Sequence, residues 1–258
     1  MVGLTTINGF PLSMDERLAK LKEAGFGSVL MWWGNDETES REERIKLAAK
    51  HNLQVENVHA QTDDLNAIWA DGENGERIIS ELLNEIADCR QYGISTIVMH
   101  LTNGSNPPPI SKTGVSRVER LIGAANKMNV RVAFENMRVP EHTKYFIDNY
   151  RTPFVGLCYD SGHENYWTPE TDWLSLYSDR IFAIHLHDNC GDADSHMIPF
   201  DGDINWSKKL RQLSRSNYKG SIALECEYHH GIYETGGFEN YLKKAYRAGA
   251  SIEHLITG

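Results

Sequence analysis

Eleven histidines occur in 258 residues, and their spacing is uneven. His59, His100, His163, His185 and His187 stand at or just past the end of short β-branched runs, and His196 follows in the loop after the seventh run. Three carboxylates keep the same places, since Glu135, Asp160 and Glu225 each end a run. Imidazole nitrogens and carboxylate oxygens gathered in one cavity make a ligand set suited to zinc, manganese, cobalt or magnesium. Without a cation, that many polar and charged groups in one pocket repel one another and carry a desolvation cost. Each residue alone has a plainer reading. Glu135 is then an ion-pair partner for Arg138 or Arg131, Asp160 a cap for the turn Asp160-Ser161-Gly162, and a strand-end histidine a hydrogen-bonded pocket residue. The coincidence of all of them at equivalent positions is what points to a metal.

The elements that must position these residues alternate along the whole chain. Candidate strands are Leu4–Ile7, Ser28–Trp32, Gln54–His59, Thr96–Leu101, Arg131–Glu135, Val155–Asp160, Phe182–His187 and Ser221–Glu225. Amphipathic helices lie between them. Ser13-Met14-Asp15-Glu16 and Ser40-Arg41-Glu42-Glu43 read as capping boxes, Gly25 and Gly93 as helix stops, and Asn205 as the N-cap of the seventh barrel helix, anchored by Trp206. Strands separated by helices pair in parallel, because a parallel connection needs a crossover. Eight such units with no reversal predict a single (β/α)₈ TIM barrel domain over residues 1–258, whose strand C-termini converge on one rim. The irregular stretches 102–113 and 189–203 both follow strand ends, where a barrel builds its site.

Composition limits the partners. The net charge is −10, with 26 Lys and Arg against 36 Asp and Glu, which disfavours nucleic acid or an anionic membrane as partner. No apolar run nears the roughly 20 residues of a spanning helix, and the N-terminus lacks the signature of a signal peptide. The four cysteines, Cys89, Cys158, Cys190 and Cys226, are scattered without a CxxC pair. They read as reduced packing residues of a cytoplasmic protein.

Three segments carry a resemblance: Gly156-Leu157-Cys158-Tyr159-Asp160-Ser161-Gly162-His163, then His185-Leu186-His187-Asp188-Asn189, then Pro199-Phe200-Asp201-Gly202-Asp203-Ile204-Asn205-Trp206. Together they resemble the sugar phosphate isomerase/epimerase family, which belongs to the xylose-isomerase-like TIM barrels alongside the endonuclease IV class of AP endonucleases. The likeness runs from Asn57-Val58-His59-Ala60 to Leu224-Glu225. It implies a single-metal site of Glu135, Asp160, His185 and Glu225, with His163 touching substrate; His187, on the same face as His185 by strand alternation, reads as a substrate contact, and the choice between the two as ligand stays open. The endonuclease IV class binds three zinc ions, and the resemblance supplies its longer set too: His59 and His100, then His163 with Asp194 and His196. The cofactor expected is therefore a divalent ion, one to three per chain, zinc or manganese ahead of cobalt or magnesium.

This ligand set suits a metal-dependent isomerase or epimerase of a sugar or related polyol, in which Glu135 and Glu225 exchange a proton as base and acid around a metal-stabilised enediolate. Trp32, Trp33 and Asn35 are candidates for a stacking wall and a hydroxyl contact, with barrel packing as the plainer reading, and Arg138 is a candidate contact for a substrate oxyanion. The alternatives are an endonuclease IV-like phosphodiesterase, which lacks a basic rim here, and a keto-sugar or inositol lyase using the same chemistry. A non-catalytic sugar-binding barrel comes last. His229-His230 read as a solvated turn, and His51, His142 and His254 as surface residues. A small-molecule sugar is the expected partner, with homo-oligomerisation open.

Overall fold

The structure, a computed structural model, describes every residue except Asn8, Phe10, Pro11, Asn35, His229, Glu234, Thr235 and Gly258. Eight strands run parallel: β1 (Val2–Thr5), β2 (Ser28–Trp32), β3 (Gln54–His59), β4 (Thr96–Met99), β5 (Arg131–Glu135), β6 (Val155–Asp160), β7 (Ile181–His185) and β8 (Ile222–Leu224). Each pairs with its sequence neighbour from β1 to β7, and β8 returns to pair with β1. The remaining gap closes through a parallel bridge between Leu186 and Leu224, with Leu186 N donating to Ala223 O at 2.9 Å and Glu225 N donating to Leu186 O at 3.1 Å. The barrel anticipated from the sequence is the one observed.

Helices cover the outside: α1 (Met14–Ala24), α2 (Arg41–Lys50), α3 (Glu73–Tyr92), α4 (Lys112–Met128), α5 (Pro140–Asn149), α6 (Ser161–Trp167), α7 (Trp173–Leu176), α8 (Trp206–Ser214), α9 (His230–Tyr233) and α10 (Gly237–Thr257). Both capping boxes form, with Ser13 accepting from Glu16 N and Ser40 from Glu43 N. Gly25 and Gly93 end α1 and α3 in the left-handed region that a β-carbon disfavours, at φ 109° and 71°. Asn205 caps α8, and Trp206 is buried with Nε1 donating to Asp188 Oδ2 at 2.6 Å.

Strand boundaries shift where pairing partners change. The seventh strand stops at His185, the last residue paired with β6, because Leu186 already bridges to β8. The first strand is Val2–Thr5 rather than Leu4–Ile7, and the fourth ends at Met99 rather than Leu101. The inside of the barrel is filled by a small cluster, Val98, Ala133, Cys158 and Ala183. Each lies two residues before His100, Glu135, Asp160 or His185, and strand alternation turns those four side chains inward as well. Small residues below thus leave room for polar ones at the rim. No helix among the described residues is long and apolar enough to cross a membrane.

Candidate metal and active site

Ends of β3, β5, β6, β7 and β8, together with the residue after β4, bring the sequence-predicted side chains into one buried constellation. Glu135 is its centre. Its Oε2 lies 3.3 Å from His59 Nε2 and 3.1 Å from His100 Nε2, while its Oε1 lies 3.2 Å from His163 Nδ1 and 3.6 Å from His185 Nδ1. The same His185 nitrogen is 3.1 Å from Glu225 Oε2. Ligand-capable atoms fall into three groups, each within 4.8 Å: Glu135, Asp160, His185 and Glu225; His59, Glu135 and His185; and His163, His187, Asp194 and His196.

Local hydrogen bonds set these side chains. His59 Nδ1 meets Ala60 O at 2.8 Å, and His196 Nδ1 meets Glu225 O at 2.7 Å; a carbonyl only accepts, so both rings donate from Nδ1 and present Nε2 to the site. Asp160 caps α6 by accepting from His163 N at 2.7 Å, so it serves the turn and the cluster together. Burial raises the Glu135 carboxyl, but the charges of His185 and His100 outweigh it and hold the group well below the usual carboxylate range. Glu225 follows the same pattern, burial opposing and His185 prevailing.

Above the cluster opens a cavity of about 260 Å³, bordered by His59, His100, Glu135, His163, Glu225 and Arg138 among others. Arg138 is the one Lys or Arg among its lining residues. Its guanidinium stacks on Trp167 at 4.3 Å, and Trp167 stacks on His163 at 4.2 Å.

Family comparison agrees with this architecture over nearly the whole chain: the profile of the xylose isomerase-like TIM barrel matches residues 18–256. The chain belongs to that family. Among its relatives is the uncharacterized protein y4fM of Sinorhizobium fredii, 28% identical over 135 residues that span 50% of this chain and 42% of that protein. Two solved structures share the barrel. A D-tagatose 3-epimerase-like protein superposes with a TM-score of 0.76 at 16% identity, over 99% of this chain and 96% of its own. An IolI protein with a bound zinc atom gives 0.76 at 18%, covering 98% of both chains.

Within this xylose isomerase-like barrel, several sequence expectations need correction. Trp33 is no stacking wall: it is fully buried, edge-on to Tyr92 at 6.2 Å and under the Arg41 guanidinium at 5.7 Å, so packing is its role. Trp32 is the neighbour of the site, its ring 5.4 Å from that of His59. His187 does not face the cavity as a substrate contact; it is fully buried behind it, with Nε2 3.0 Å from Asp160 Oδ1. Arg138 stands over Trp167 and not in an ion pair with Glu135. His142 is buried rather than on the surface, Nε2 3.0 Å from Pro108 O and edge-on to Trp69, because α5 packs that face inward. Asn35 and His229 lie outside the described residues.

Two carboxylates of this family member escaped the sequence reading. Asp188 is fully buried and accepts from Asn189 N, Ile204 N, Phe200 N and Trp206 Nε1, so it folds the β7–α8 loop that carries Asp194 and His196. The acid of the His-x-x-Asp pattern was visible, but its partners lie up to 18 residues on. Glu85, buried on α3, pairs with Arg41 at 2.6 Å and accepts from Gln61 N at 3.3 Å, bracing the chain just after His59. Nothing in its helical surroundings marked it.

Proposed function

We propose that this chain is a divalent-metal-dependent isomerase or epimerase of a sugar or related polyol. One observation carries the reading: Glu135 and Glu225 approach the same His185 nitrogen, at 3.6 and 3.1 Å, with Asp160 completing a group of four. The chemistry of the donors fits a cation. Glu135 Oε1, Asp160 Oδ2 and both His185 nitrogens are buried without a protein hydrogen-bond partner, and three carboxylates so close together repel. Glu135, Asp160, His185 and Glu225 would hold the ion. Bound there, it supplies Lewis acidity toward a substrate carbonyl and the adjacent hydroxyl.

The remaining steps belong to the chain. A carboxylate base must start ionised, and a cation held beside Glu135 would keep it so. Glu135 takes the proton from the carbon beside the carbonyl, and Glu225, after taking up a proton from solvent in the cavity, returns one while Glu135 gives its own proton back to solvent. Return to the opposite face of that carbon gives the epimer, and return to the neighbouring carbon gives the isomer. His59 and His100 hold Oε2 of Glu135 and so orient its other oxygen. The cavity's 260 Å³ equals about nine liquid waters and suits a monosaccharide.

A second reading has one observation in its favour. His59, Glu135 and His185 form a further ligand group that shares Glu135 and His185 with the first, and the two oxygens of Glu135 could serve two ions as in a multi-metal phosphodiesterase centre. Against it, Arg138 is the one permanent cation on the cavity wall, whereas a nucleic-acid backbone needs several phosphate contacts.

The test is a panel of ketoses incubated with the metal-loaded protein in deuterium oxide. Deuterium entering the carbon beside the carbonyl, with epimer or isomer formed, is the expected result. Exchange followed by loss of a β-substituent indicates the lyase instead. Hydrolysis of an abasic-site duplex with no exchange in any ketose overturns the proposal.

A further inference from the structure

Glu135 and Asp160 end neighbouring strands, yet the ladder between those strands stops at the pair Glu135 and Cys158, short of Asp160. Asp160 is paired on its other side, with His185 of β7. On the β5 side a side chain takes the place of a strand. Oδ1 of Asn136 accepts from Asp160 N at 2.7 Å, and Nδ2 of Asn136 donates to Asp160 O at 2.8 Å. A backbone N–H only donates and a carbonyl only accepts, so the amide fits one way round. Asn136 is fully buried, and its own carbonyl faces His163 Nδ1 at 3.1 Å.

The consequence falls on the Asp160 carboxylate. Its Oδ1 accepts from His163 N at 2.7 Å and has His187 Nε2 at 3.0 Å. Its Oδ2 is buried without a protein partner, and Asp160 belongs to the group formed with Glu135, His185 and Glu225. Three carboxylates this close push one another apart until a cation joins them. The Asn136 amide opposes that push at the backbone of Asp160, from a residue bonded directly to Glu135. The spacing of the two carboxylates is thereby set before any ion arrives. His163, which pins Oδ1, leans on the carbonyl of the same asparagine.

We propose that Asn136 is a positioning residue for the ion site of Glu135, Asp160, His185 and Glu225. Its amide clamps the Asp160 backbone and so keeps Oδ2 turned to the ion. Asn136 is not among the residues lining the cavity, and it acts through Asp160. Outer-shell groups that fix a ligand in this way raise the affinity of the site for its metal. The residue type suits the task, because Asp at this position would have no donor for Asp160 O. The proposal rests on the ion site of the reading above, and not on the proton chemistry assigned to it.

The experiment is calorimetric titration of metal-free protein with manganese, for wild type, Asn136→Ala, Asn136→Asp, Tyr159→Phe and Glu225→Ala. The binding event missing from Glu225→Ala is the one that belongs to this group. Its Kd should rise about 10–100-fold in Asn136→Ala, the usual effect of losing an outer-shell partner. Asn136→Asp keeps the shape of the side chain and decides the matter if the alanine variant does not fold. Its added negative charge favours a cation, so a Kd raised in spite of that charge supports the clamp. Tyr159→Phe removes a buried hydrogen bond to Glu164 from the residue beside Asp160, and controls for a mere loosening of β6. Its Kd should stay that of wild type. An unchanged Kd in the deciding Asn136 variant, or an equal rise in Tyr159→Phe, overturns the proposal alone. A wild type without the event overturns the ion site together with the proposal.

Discussion

Nδ1 of His185 stands 3.1 Å from Oε2 of Glu225, across the barrel mouth from Glu135, which reaches the same nitrogen at 3.6 Å. Two carboxylates from β5 and the end of β8 are thereby set on either side of one point.

Glu225→Gln keeps the shape of the side chain and removes its capacity to exchange a proton. A loss of about 10²–10⁴ in kcat is expected, the range for a positioned acid or base. Deuterium exchange by the variant at the wild-type rate would exclude Glu225 from proton transfer.

Removal of metal should destabilise the fold. An ion present at 100 times its Kd contributes about 2.7 kcal/mol, which is about 5–10 °C in Tm for a chain of this size. Thermal unfolding before and after dialysis against a chelator measures it, and restoration by added zinc or manganese completes the test. An unchanged Tm would argue against any bound ion.

Gly162→Ala places a methyl group into the ring of His187. Overpacking of this kind costs about 1–3 kcal/mol. Denaturant unfolding should show that loss. A variant as stable as wild type would mean the ring has room that the structure does not show.

Glu85 gives a pH dependence with a definite sign. Burial pushes its carboxyl up to about 7, against the pull of Arg41. Between the ordinary value of 4.5 and 7 the folded chain holds a proton that the unfolded chain has released. Stability from this group is therefore fully present below pH 4.5 and falls as pH rises through 7, by up to about 3 kcal/mol. Subtracting the Glu85→Gln stability curve from that of wild type isolates the effect, and a flat difference across this window would refute it.

Trp33→Ala separates packing from binding. A buried Trp truncated to Ala costs about 3–5 kcal/mol, while KM of the folded protein should not change. A raised KM with little loss of stability would return Trp33 to the substrate wall.

The sequence by itself determined the barrel and the identity of its rim. Two-residue alternation makes strands, helix caps such as Ser13 and Ser40 are local, and chemistry-bearing residues two positions after small ones at 98, 133, 158 and 183 follow from the same period. All of that is encoded within a few residues. The tertiary structure alone decided what faces what. Trp32 and Trp33 are adjacent in sequence and turn to opposite faces, but that one leans on His59 and the other fills the core was settled by what packs on each face. His185 and His187 share a strand direction, but Leu186 switches pairing from β6 to β8, and the turn sends His187 behind Asp160 toward Asp194. Asp188 and Glu85 took their roles from partners on distant elements. Distances between side chains brought together by barrel closure depend on register and pairing across the whole sheet, which no local pattern carries.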